Sequence, residues 1–178
     1  VSCGQDDEAT RILCAVADRL HAPHAKPVPA LVPLEQRFEA LWSAAATRRG
    51  IFEQCAKTAR ELLDAPRDVR VLHGDIHHGN VLDFGPKGWL AIDPKGLYGE
   101  RGFDYANIFC NHDSKSALAP DCFSRRIDIV TQAADIDRLR LLQWVLAWTG
   151  LSALSRPSPL GWRSLQRRRL GCEFYSKA

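Results

Sequence analysis

The sequence predicts a mainly helical α+β domain, and three observations lead there. Apolar residues recur at helical spacing over most of the chain, whereas strand-like runs are confined to residues 69–92. With 178 residues, 46% of them hydrophobic, the chain has enough material for one domain with a real core, and two would be crowded.

Ala9, Ile12, Leu13, Val16 and Leu20 fall on one face of a helix over Asp6 to Leu20, with acids in its first turn where they suit the helix dipole. His21-Ala22-Pro23 ends it. Prolines 23, 27, 29 and 33 then impose an ordered loop, since proline cannot continue a helix. Leu34, Phe38, Leu41, Trp42 and Ala45 mark a second helix, closed near Gly50. Phe52, Cys55, Ala56, Ala59, Leu62 and Leu63 mark a third, stopped before Pro66. Val69 to Leu72 reads as a short strand. Val81 to Phe84 and Trp89 to Ile92 flank Gly85-Pro86-Lys87-Gly88 as a hairpin. Gly96, Gly99 and Gly102 read as a flexible loop before a helix that opens at Phe103-Asp104-Tyr105-Ala106-Asn107. Two more helices cover about Asp121 to Ala134 and Asp137 to Leu154. The last is apolar on several faces through Leu139, Leu142, Trp144, Val145, Leu146 and Trp148, and is therefore expected to be buried. The domain is thus expected over residues 1–155. Residues 156–178, broken by Pro157 and Pro159 and crowded with Arg163, Arg167, Arg168 and Arg169, read as a basic, poorly ordered, solvated tail.

The net charge of +3 is modest and both signs are interspersed, which does not point to nucleic acid and suits a small polar substrate. No apolar run reaches the length of a membrane span, and Asp6, Asp7 and Glu8 stand where a signal peptide would carry basic and then apolar residues. A soluble, cytoplasmic protein is expected. The six cysteines show no CxxC pair and no regular spacing, which argues against a zinc site or a disulfide framework; most are read as plain thiols, with Cys14 and Cys55 on apolar helix faces.

The chemistry concentrates in His73-Gly74-Asp75-Ile76-His77-His78-Gly79-Asn80 and Ile92-Asp93-Pro94. An acid, an amide a few residues on and a second acid from a separate strand form the recurring kinase catalytic arrangement: the first acid orients the acceptor hydroxyl while the amide and second acid hold Mg²⁺. Mg²⁺ prefers hard oxygen ligands, usually one or two carboxylates completed by substrate phosphates, which suits Asn80 and Asp93 and leaves Asp75 as the base. Each residue alone has an ordinary explanation as a turn or strand exit; their combination at one end of a small sheet favours catalysis.

These segments, with Val81-Leu82-Asp83-Phe84-Gly85, Gly99-Glu100-Arg101-Gly102-Phe103-Asp104-Tyr105-Ala106-Asn107 and Ala147-Trp148-Thr149-Gly150-Leu151-Ser152-Ala153, resemble the aminoglycoside phosphotransferases, nearest to the streptomycin 6-kinase branch of the aminoglycoside/hydroxyurea antibiotic resistance kinases. The resemblance implies the C-terminal lobe of a two-lobed, protein-kinase-like fold, with a small β-hairpin carrying the metal site. It also implies ATP and Mg²⁺ as cofactors and phosphate transfer to an alcohol group of an aminoglycoside, which gives antibiotic resistance. Residue by residue, it makes Asp75 the catalytic base and Asn80 and Asp93 metal ligands. His73 and Asp104 become supports of the catalytic loop, and Glu100 a residue that faces a cationic drug. The sequence contains neither GxGxxG nor GxxxxGK[ST], so the N-terminal lobe is expected to be missing and the chain to be a truncated form.

Two other functions compete. Gly74-Asp75-Ile76-His77-His78 echoes the GDxH turn of metallophosphoesterases, although a later GNH and other metal-binding companions are missing. Alternatively the chain is an inactive remnant, or a lobe that binds an aminoglycoside weakly.

Overall fold

The computed structural model describes residues 3–23, 30–110 and 120–155. Six α-helices among them surround two small sheets: α1 (Cys3–His21), α2 (Glu39–Thr47), α3 (Ile51–Asp64), α4 (Gly102–Cys110), α5 (Pro120–Ala134) and α6 (Arg138–Ser155). The strands are β1 (Val32–Pro33), β2 (Val69–Leu72), β3 (Val81–Asp83), β4 (Trp89–Ala91) and β5 (Leu97–Glu100). The mainly helical α+β class is as expected. Leu34–Phe38, read as the first turns of α2, forms a 3-10 helix instead, and the basic tail lies outside the described residues.

β3 and β4 form the antiparallel hairpin, with Val81 opposite Ala91 and Asp83 opposite Trp89. The other sheet has the order β1-β5-β2, β5 running parallel to β1 and antiparallel to β2. β5 corrects the flexible-loop reading of residues 96–102. Its Gly99 is not there for mobility: a Cβ at that position would come within 2.5 Å of the Leu34 side chain, so the residue permits close approach of the Leu34–Phe38 turn to the strand. Gly102 opens α4 for the same reason, since a Cβ there would collide with the Trp144 indole.

Two hydrophobic clusters meet on α6. Phe38, Leu41, Leu62, Leu72, Leu97, Phe103 and Trp144 belong to the first; Leu13, Val16, Ile76, Val81, Tyr105, Ile108, Ile127 and Leu141 belong to the second. Leu141, Trp144 and Ala147 are fully enclosed, as the apolar sequence of this helix predicts, while Leu139 points to solvent. α1 packs on α5 and is clipped to it by Asp6 with Arg126 and Asp7 with Arg125. The Arg19 guanidinium also donates to the Trp89 carbonyl, so α1 braces the hairpin.

Cys14 and Cys55 are buried free thiols, and burial pushes Cys14 up to about 12 from the ordinary 9.0. Cys122, by contrast, is disulfide-bonded, which departs from the plain-thiol expectation. No helix among the described residues is long and apolar enough to cross a membrane.

Candidate active site

Everything in the candidate site hangs on the turn that follows β2. Gly74 adopts a φ of 80°, and a Cβ there would press on Leu97 and Lys95, so only glycine lets the chain leave β2 this tightly. Ile76, wholly buried, anchors the turn in the second cluster. Between these fixed points Asp75 presents a carboxylate that is 30% exposed.

Asp104, at 0% exposure, holds this turn from behind. Its Oδ2 accepts the His73 N–H and its Oδ1 accepts the Gly74 N–H, both at 2.8 Å. His21, also buried, donates to Oδ2 from Nε2 at 3.0 Å. Three donors aimed at one carboxylate make up for the water it gives up on burial.

His73 joins the turn to the second acid. Its Nε2 lies 2.9 Å from the Ile92 carbonyl and its Nδ1 lies 3.2 Å from the Asp75 N–H. A carbonyl only accepts and an amide N–H only donates, which selects the neutral tautomer with the proton on Nε2. One ring thereby fixes the distance between the Asp75 turn and the end of β4. The Ile92 N–H donates to the Asn80 carbonyl at 2.9 Å and completes the connection.

Asn80 and Asp93 sit at the two ends of the hairpin. The Asn80 side-chain amide donates through Nδ2 to the Asp75 carbonyl at 2.9 Å, which leaves its Oδ1 as the atom for a cation. Asp93 has a φ of 59°, a left-handed conformation immediately before a proline, and its side chain is 67% exposed. Backbone held in so sparsely populated a region concentrates at functional positions, and here it turns a carboxylate outward. An amide oxygen and an outward carboxylate are hard donors, and they suit Mg²⁺.

Lys95 is a site residue that the sequence did not reveal. Its Nζ is 2.5 Å from Asp93 Oδ2 and 3.6 Å from Asp75 Oδ2, so one ammonium spans both acids. On the other side of Asp75, His77 Nε2 and Asn107 Nδ2 lie 3.8 and 3.5 Å from Oδ1. The signal available was the Asp-Pro-Lys order alone, which says nothing about distance.

Glu100, expected from the resemblance to face a cationic drug, is held by partners within the fold. It is 4% exposed, and its carboxylate accepts from Arg140 Nε at 2.9 Å, Trp144 Nε1 at 2.6 Å and the Arg67 N–H at 2.8 Å. All its acceptor capacity joins β5 to α6 and to the end of α3. His73 is similarly committed through both nitrogens, and His77 Nδ1 accepts the Gly79 N–H at 3.0 Å. Among the described residues no three His, Cys, Asp or Glu side chains gather as a metal cluster. A separate cavity of about 410 Å³, lined by residues including His21, Asp68, Arg70 and Arg101, involves none of Asp75, Asn80 and Asp93.

Known proteins share both the sequence and this arrangement of elements. The chain is 54% identical over 155 residues to a streptomycin 3''-kinase of Klebsiella pneumoniae, covering 84% of this chain and 58% of that protein. It is 34% identical over 161 residues to a streptomycin 6-kinase of Streptomyces griseus, covering 82% and 50%. The chain thus spans about half the length of the curated relatives it matches. In fold it is similar to an aminoglycoside-3'-phosphotransferase of type VIII, with a TM-score of 0.55, 19% identity, and coverage of 83% of this chain and 62% of that one. Residues 1–157 match the profile of the aminoglycoside/hydroxyurea antibiotic resistance kinases, and the chain belongs to that family.

Proposed function

We propose that the chain is the acceptor-side lobe of a cytoplasmic ATP- and Mg²⁺-dependent phosphotransferase that modifies an alcohol group of streptomycin. The observation that carries this reading is the joining of the Asp75 turn to the Asn80 and Asp93 hairpin through His73, which keeps one exposed carboxylate beside a pair of hard oxygen donors. When bound, ATP and Mg²⁺ supply the transferable phosphoryl group and neutralise its charge. Asp75 orients the acceptor hydroxyl and accepts its proton at a carboxylate oxygen. Asn80 Oδ1 and the Asp93 carboxylate would hold the metal, and Asp104 keeps the Asp75 turn rigid so that this geometry is set before substrate arrives.

The resemblance put the 6-hydroxyl first. The identities, 54% to a 3''-kinase against 34% to a 6-kinase, favour the 3''-hydroxyl instead. The metallophosphoesterase reading loses its support because His73 spends both nitrogens on backbone groups and His77 spends Nδ1 on Gly79.

The test is streptomycin-dependent ATP consumption by the chain with Mg²⁺, beside Asp75→Asn. Turnover is expected to fall by about 10²- to 10⁴-fold in the variant, the range of a positioned general base. Phosphorus-coupled NMR of the product identifies the hydroxyl. Equal turnover by both proteins would reject Asp75 as the base.

A further inference from the structure

Asp75 and Asp93 are brought close together on the surface of one loop system, and like charges this near would repel. What lies between them is Lys95, whose ammonium reaches both carboxylates. Its root is fixed: the Lys95 N–H donates to the His73 carbonyl at 2.7 Å, and its Cβ lies 3.1 Å from where a side chain on Gly74 would begin. Its stem is not, since four methylenes carry a compact point charge that is 29% exposed. Among the described residues, His77 also faces the pair and approaches Asp75 from the opposite oxygen.

We propose that Lys95 is the resident counter-cation of the Asp75 and Asp93 pair, occupying the divalent cation's place on Asp93 in the metal-free protein and yielding it when metal arrives. This rests on the reading of Asp93 as a metal-holding residue. The Asp93 carboxylate is the group that would hold the metal, and Lys95 already contacts its Oδ2 at 2.5 Å. Lysine suits the task better than arginine, whose planar fork locks onto a carboxylate through two hydrogen bonds. Lys95 is therefore a positioning residue that bridges the two carboxylates and offsets their mutual repulsion, and it sets the threshold for metal entry.

The experiment measures binding of Mn²⁺ alone by electron paramagnetic resonance, with no nucleotide, to the wild-type chain, Lys95→Met, Lys95→Arg, Asp93→Asn and the Lys95→Met/Asp93→Asn double variant. Removing a cation this close to the ligand atom should tighten Mn²⁺ binding about tenfold in Lys95→Met, and the gain should shrink as salt rises. Lys95→Arg should bind no tighter than wild type, which separates the charge from the bulk of the side chain. The gain should vanish in the double variant. If Asp93→Asn weakens Mn²⁺ binding but Lys95→Met does not tighten it, the counter-cation role is overturned and the metal assignment stands. If Asp93→Asn changes nothing, or the gain survives in the double variant, the metal assignment is overturned and the proposal with it.

Discussion

Four of the five acids between Asp75 and Asp104 divide into two kinds. Asp104 and Glu100 are almost wholly buried and saturated by donors from the fold itself, whereas Asp75 and Asp93 stand partly in water and share one flexible ammonium. The difference teaches which carboxylates have capacity left for a ligand. Asp104 spends its oxygens on the His73 and Gly74 amides and on His21, and Glu100 spends its own on Arg140, Trp144 and Arg67, so neither can serve chemistry without releasing structure.

The sharpest way to break the comparison is Asp104→Asn. An amide group turned toward the His73 or Gly74 N–H meets a donor with a donor, and the three donors lose the carboxylate that they share. We expect about 3–5 kcal/mol of destabilisation, read by urea denaturation. Asp75→Asn should stay within about 0.5 kcal/mol of wild type in the same assay while losing transfer. Equal losses in the two variants would erase the distinction between bracing and working acids.

Glu100→Gln comes next, at about 2–4 kcal/mol, because Arg140 would keep a buried charge with only the Leu62 and Ala65 carbonyls beside it. A drug-facing residue would behave differently: KM for streptomycin would rise while the urea midpoint held still. That result would restore the role the resemblance suggested.

The shallowest effect, spread over several pH units, is a pH dependence. Cys14 is raised from 9.0 to about 12 by burial, so above pH 9 the unfolded chain releases a proton that the folded chain keeps. Stability therefore falls as pH rises from 9 toward 12, by at most about 1.4 kcal/mol per unit. Tyr105, also raised by burial, contributes with the same sign at higher pH. Cys14→Val should flatten the first part of that decline in denaturation curves at pH 8, 9.5 and 10.5.

The helices were legible because periodicity is a local property: Leu13, Val16 and Ala17, or Cys55, Ala59 and Leu62, announce a buried face without knowledge of what covers it. The hairpin was legible from its turn. β5 was not, since four residues containing a glycine give too little alternation, and the reason for Gly99 is Leu34, 65 positions earlier in the chain. Within the candidate site, residue types singled out Asp75, Asn80 and Asp93 as candidates. They could not tell Glu100 from a ligand-facing acid, because its partner Arg140 lies 40 residues away. Lys95 went unread for the opposite reason. It stands two positions from Asp93, yet its meaning lies in how the Asp75 turn folds back beside it.

The clasp between α1 and α5 has a consequence for how the protein is made. Asp6 and Asp7 close on Arg126 and Arg125, and the apolar face of α1 belongs to a cluster completed by Ile127, Val130 and Leu141. On the ribosome, more than a hundred residues must be added after α1 before those partners exist. At ordinary elongation rates that is a delay of roughly ten seconds, during which Leu13 and Val16 have only the earlier members of their cluster, Ile76, Val81, Tyr105 and Ile108, to pack against. For that interval the cluster around α1 stays incomplete, and the yield of folded protein should respond to translation speed between α1 and α5.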